Sequence, residues 1–167
     1  MKNLLGGQEL KSPPLNKGFN LNLWKSPLGG QELKSPTVLV GTIVRTREAK
    51  RPFLTLPSYD FNISHSGEYA MCAIGQNVRV GVDIEKKQQR NFENFDNTMN
   101  SKQWDHITTS EDPVKTFYKY WTIKESVSKA DGRGFYIPYA ELEVKDATVQ
   151  YEGKLWFLNE INLAEDY

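Results

Sequence analysis

Large apolar side chains are sparse over residues 1–36 and gather into readable runs from Thr37 onward. Val38, Leu39, Val40, Ile43 and Val44 form a β-branched run that predicts a strand. Two more strands are predicted over 69–74 and 78–84, and the intervening Gly75-Gln76-Asn77 has the composition of a turn joining them as an antiparallel hairpin. Ser101 predicts a cap for a short helix reaching His106. Asp112-Pro113 is a stronger start signal, a cap followed by proline at the first helical position. The spacing Phe117, Trp121, Glu125, Lys129 then lays four side chains along one line of a long helix ending near Gly132 or Gly134. Alternation in Leu142-Glu143-Val144, then runs over 147–151 and 154–158 flanking Glu152-Gly153, predict further strands and a second hairpin. The fold class is α+β, with antiparallel strands packed against a long helix.

The N-terminal stretch reads differently. The nonamer from Leu5 to Pro13 returns verbatim from Leu28 to Pro36. Two short polar copies do not make a solenoid, which needs about three or more stacked units with a hydrophobic face. Rich in Gly, Pro, Ser and Asn, residues 1–36 bury too little surface to offset their ordering entropy and are expected to be a disordered leader, with 37–167 as the one folded domain. Lys-Ser-Pro, present at 11–13, 25–27 and 34–36, is an alternative reading of the leader as a recognition motif.

Composition narrows the function classes. The 167 residues carry 21 Lys+Arg against 21 Asp+Glu. Nine basic and three acidic side chains fall in 1–51, two basic and seven acidic in 135–167, so the folded body has no general nucleic-acid footprint. A single cysteine, Cys72, excludes an internal disulfide framework, and with His65 and His106 the only histidines a structural zinc site is not expected. No secretory apolar core follows Lys2, and no apolar stretch approaches the roughly 20 residues that cross a bilayer as a helix. A cytoplasmic location without membrane insertion is expected.

In Gly81-Val82-Asp83-Ile84-Glu85, strand periodicity projects Asp83 and Glu85 to one side and Val82 and Ile84 to the other. On an edge strand this could simply be a solvated face. Glu125 adds a third carboxylate, on the line of Phe117 and Trp121 that should face the core. An i to i+4 pair with Lys129 is worth only about 0.3–0.5 kcal/mol if exposed, too little to account for a half-buried Glu. Three carboxylates without a thiolate or imidazole cluster suit a hard cation, and Mg²⁺ characteristically combines one or two of them with waters and phosphate oxygens. Phe61-Asn62-Ile63-Ser64-His65-Ser66-Gly67 reads either as an ordinary serine-rich turn or as a phosphate-holding one. Arg45, Arg47, Lys50, Arg51, Lys124, Lys129 and Arg133 could surround a polyanionic substrate or be a charged surface face.

The order of Arg51-Pro52-Phe53-Leu54, FNISHSG at 61–67, GVDIE at 81–85 and WTIKESVSK at 121–129 resembles the surfactin-synthetase-type 4′-phosphopantetheinyl transferases over about residues 43–158. The resemblance implies an enzyme that moves 4′-phosphopantetheine from coenzyme A to a serine of an apo acyl or peptidyl carrier protein, with Mg²⁺ at the pyrophosphate. It implies Asp83, Glu85 and Glu125 as metal ligands, Glu125 also deprotonating the carrier serine, and Lys129 stabilising pyrophosphate charge. Ser64 and His65 would contact coenzyme A phosphates, and Arg51 stands where the family usually has Lys before Pro. Full members are pseudo-dimers of two similar halves, and this chain resembles mainly the second, so an incomplete pseudo-dimer is expected. Two alternatives remain: a non-catalytic remnant that binds coenzyme A or carrier protein, and an Mg²⁺-dependent phosphohydrolase using the same carboxylates.

Overall fold

Phe19, Leu21 and Leu23 alternate with Asn20 and Asn22, the period of a strand, and the computed structural model has one there. The structure describes the backbone of 19–25, 43–44 and 53–54, and residues 58–167 apart from 162. Strand β1 (Phe19–Lys25) corrects the expectation that all of 1–36 is a disordered leader; the remainder of that stretch lies outside the described residues. The strand expected around 38–44 is seen as β2 (Ile43–Val44), paired antiparallel with β3 (Phe53–Leu54), and Val38 to Val40 lie outside the described residues.

A longer hairpin follows, β4 (Tyr59–Ser66) and β5 (Tyr69–Gln76), in register from Tyr59 opposite Gln76 to Ser66 opposite Tyr69. Its turn is Gly67-Glu68, with Gly67 at φ 56°, where glycine carries no Cβ penalty. β1 pairs with the other edge of β5, giving the order β1-β5-β4. The hairpin expected between 69–74 and 78–84 is therefore corrected, because both edges of β5 are taken.

Instead the chain after Asn77 lies across the sheet as an extended strap. Val80 N–H donates to Asp60 at 2.8 Å, Val82 to Asn62 at 3.0 Å, Ile84 to Ser64 at 3.4 Å and Lys86 to Ser66 at 2.9 Å. The constant offset of 20 residues makes the strap parallel to β4, over the face that carries those alternate side chains. Val80, Val82 and Ile84 are buried with Met71 and Ala73 of β5, and Tyr69, Ile161, Leu163 and Tyr167 close over them.

Helix α1 (Ser101–Thr109) is capped by Asn100 in a reciprocal box with Gln103, so Ser101 is its first residue and not its cap. Helix α2 (Pro113–Asp131) starts as expected, with Asp112 accepting from Lys115 N–H and proline in the first turn, and Gly132 ends it in the left-handed conformation at φ 93°. Phe117 and Tyr118 pack with Met99 and Ile107 of the α1 region, while Val127 packs with Ile137, Tyr139, Leu142, Val149 and Tyr151. The latter group belongs partly to a second sheet, β6 (Glu143–Lys145), β7 (Thr148–Tyr151) and β8 (Lys154–Phe157), in that order. Its last turn is Glu152-Gly153, both at positive φ, the pattern of a type I′ hairpin. The α+β class and its long helix thus stand in the structure. Among the described residues no helix is long and apolar enough to cross a membrane.

Candidate active site

The strap meets α2 at Gly81. A Cβ there would fall 1.9 Å from the Ser126 carbonyl oxygen and 2.7 Å from the Ala130 nitrogen, so glycine lets the two backbones touch. Arg79 reinforces the contact by donating to the carbonyls of Ala130 and Asp131 at the end of the helix. Two residues beyond Gly81, Asp83 is thereby brought against the helical line that carries Glu125 and Lys129.

The Asp83 side chain is 5% exposed. Its Oδ1 accepts from Lys129 Nζ at 2.6 Å and from the Ser64 hydroxyl at 2.9 Å. Lys129 also donates to Ser64 Oγ at 3.0 Å and to the Val82 carbonyl at 3.2 Å, which uses all three of its N–H groups. The i to i+4 partner weighed for Glu125 is thus engaged elsewhere. Glu85, two residues further along the strap, accepts from the Ser66 hydroxyl at 3.2 Å.

Asp83 Oδ2 and Glu125 Oε1 are buried and have no hydrogen-bond partner. Burial raises the pKa of Asp83, against the lowering effect of Lys129 and Ser64. Burial likewise raises that of Glu125, opposed by the nearby Tyr139 hydroxyl and reinforced by the charge of Asp83. The carboxylates are thus close enough to feel one another. An unpartnered buried carboxylate oxygen is costly, and a bound cation removes the cost. Among the described residues no three acidic, imidazole or thiol groups already stand as an ion-enclosing cluster, so the three-carboxylate cage implied by the resemblance is not preformed. The donor set fits a cation that takes one or two carboxylates and completes its shell with water and phosphate oxygens. Lys129 pairs with Asp83 through Oδ1 alone.

The other expected site residues are distributed unevenly. Ser64 is at the centre, where its one O–H is donated to Asp83. His65 is exposed, on the face of β4 opposite Ser64 and Ser66. Arg45, Arg47, Lys50 and Arg51 lie outside the described residues. Two members of the expected basic surround are occupied structurally. Lys124 is fully buried and donates to the Tyr139 carbonyl, while Arg133 is paired with Asp131 and Glu152. Sequence reasoning missed Tyr139, whose buried hydroxyl lies beside Glu125 and Ser128 without a hydrogen bond of normal geometry. No local pattern marks it, because a 3₁₀ turn at Tyr139–Glu141 brings it to the helix.

The family model described as the 4′-phosphopantetheinyl transferase superfamily matches residues 79–164, a span that holds the strap, α2 and the second sheet. The chain is 37% identical over 98 residues to 4′-phosphopantetheinyl transferase gsp of Aneurinibacillus migulanus, covering 58% of this chain and 40% of that protein. It is 35% identical over 130 residues to the L-aminoadipate-semialdehyde dehydrogenase-phosphopantetheinyl transferase of Xenopus laevis, covering 67% of this chain and 42% of the relative. With 4′-phosphopantetheinyl transferase Sfp of Bacillus subtilis it shares 31% over 103 residues, 60% of this chain and 46% of the other. The chain spans less than half the length of each of these three relatives.

Proposed function

The chain belongs to the 4′-phosphopantetheinyl transferase superfamily, and we propose that it transfers 4′-phosphopantetheine from coenzyme A to a serine of an apo acyl or peptidyl carrier protein, with Mg²⁺. The observation that carries the proposal is the pair of buried, unpartnered oxygens of Asp83 and Glu125 beside the Lys129 ammonium. Asp83 and Glu85 from the strap and Glu125 from α2 would hold the metal. Bound Mg²⁺ supplies positive charge to a diphosphate whose oxygens gain negative charge as it is cleaved.

The chain's own residues do the rest. The carrier serine oxygen forms a bond to the phosphorus that bears pantetheine, and the bond from that phosphorus to the departing adenosine 3′,5′-bisphosphate breaks. Glu125, with a pKa raised by burial, takes the serine proton directly or through water. Lys129, 28% exposed at its side chain, can exchange its hold on Asp83 for a phosphate oxygen. His65 and Arg51 are proposed to meet the coenzyme A phosphates, and no covalent enzyme intermediate is required.

Incubating the full chain with apo carrier protein, coenzyme A and Mg²⁺, then weighing the carrier by mass spectrometry, tests the reading. A phosphopantetheine adduct that disappears with EDTA, and in Asp83→Ala and Glu125→Ala, is the expected result. Phosphate release without adduct would replace transfer by hydrolysis. Neither product would leave a binding remnant.

A further inference from the structure

The strap is anchored at four alternate positions of β4, and the anchors are not chemically alike. At the first two, Asp60 and Asn62 accept the amides of Val80 and Val82. At the next two, Ser64 and Ser66 accept the amides of Ile84 and Lys86 and also donate their hydroxyl protons. Ser64 donates to Asp83 and Ser66 to Glu85, each to the residue just before the amide it holds. The same two-bond pattern is repeated with a two-residue step on both strands. Anchoring alone needs only an acceptor, as Asp60 shows. A hydroxyl, which accepts and donates through one atom, stands only where the neighbouring strap residue is a carboxylate. At the first two positions that neighbour is Arg79 or Gly81.

We propose that Ser64 and Ser66 are positioning residues, a pair of hydroxyl clamps that fix the register of the strap and aim the Asp83 and Glu85 carboxylates at a shared divalent cation. The proposal rests on the reading above that these carboxylates bind such a cation. Register matters because a one-residue slip would turn Val82 and Ile84 to the side now occupied by Asp83 and Glu85. Each clamp fixes one carboxylate oxygen, and on Asp83 the other is the unpartnered Oδ2.

The test uses the full chain and Mn²⁺ as the probe, titrated by electron paramagnetic resonance with and without coenzyme A, alongside circular dichroism to establish folding. Ser64→Ala and Ser66→Ala are expected to weaken Mn²⁺ binding roughly 10–100-fold, the usual effect of removing a partner that orients a metal ligand. Amide exchange should accelerate at Ile84 and Lys86 respectively. Ser66→Thr keeps the hydroxyl and should bind within a few-fold of wild type. If Ser64→Ala, with its buried hydroxyl, does not fold, the half-buried Ser66 carries the test. Alanine variants that bind Mn²⁺ as wild type does, or a Ser66→Thr that falls as far as Ser66→Ala, would overturn the clamps and leave the functional reading intact. A wild-type chain that binds no Mn²⁺ under either condition would overturn both.

Discussion

Lys124 and Glu125 are neighbours on α2 with opposite roles. Glu125 was legible in the sequence because its i−4 and i−8 neighbours, Trp121 and Phe117, announce a core-facing line on which a carboxylate needs a reason. Lys124 was not, because its partner is the backbone carbonyl of Tyr139, brought in by a turn beyond the helix. Burial lowers the Lys124 pKa from 10.5 to about 7. Below about pH 7 the group is protonated both folded and unfolded, and the folded state bears the full cost of a buried charge. Between about 7 and 10.5 the unfolded chain binds the extra proton, so stability rises with pH across that window. The slope from this one group is at most about 1.4 kcal/mol per pH unit. Urea denaturation from pH 6.5 to 9.5 should give a smaller slope in Lys124→Met than in wild type. Equal slopes would mean that Lys124 stays charged in the fold.

At the scale of elements, legibility followed whether a signal was local. The ends of α2 and the Glu152-Gly153 hairpin are written in adjacent residues, and the structure has them where those residues predict. The sequence of β4 reads as a turn because its inward positions are Asp60, Asn62, Ser64 and Ser66, which lack the apolar alternation of a half-buried strand. They are polar because they bind the strap. The strap in turn has strand alternation but no strand partner among the described residues, and its alternate amides at Val80, Val82, Ile84 and Lys86 are satisfied by side chains and not by a ladder. That arrangement makes Gly81 decisive. In Gly81→Ala the new Cβ meets backbone atoms of α2, which cannot rotate away, so strap and helix must separate. Overpacking of this kind costs about 1–3 kcal/mol, and a shift of about 1 Å at a reacting centre can cost on the order of 100-fold in rate. Calorimetry should show a melting temperature lower by several degrees, and carrier modification should slow by about that factor in molecules that remain folded. Near-normal transfer by Gly81→Ala would show that Asp83 does not depend on this contact.

For the whole molecule, the strap is hydrogen-bonded to β4 and packed on Met71 and Ala73 of β5, and β4 is itself held by β5. A two-stranded hairpin is marginal in water by itself, whereas a third strand makes a sheet that can support a core. β1 is that third strand, paired with β5 along all seven of its residues from Phe19 opposite Gly75 to Lys25 opposite Tyr69. Its residues lie in the stretch whose composition predicts a dispensable leader, and that composition misleads because the cost of ordering β1 is offset by an edge supplied from 50 residues away. Removing residues 1–25 should therefore act at a distance. It would free the β5 edge, lower the melting temperature, and loosen the β4 face on which Asp83 and Glu85 are set, so carrier modification should fall with stability. A bared edge also pairs with other chains, so light scattering should show stronger concentration-dependent association than in the full chain. If the shortened chain instead melts at the same temperature, stays monodisperse and transfers at the full rate, β1 contributes nothing to the sheet, and the site is supported by β4 and β5 alone.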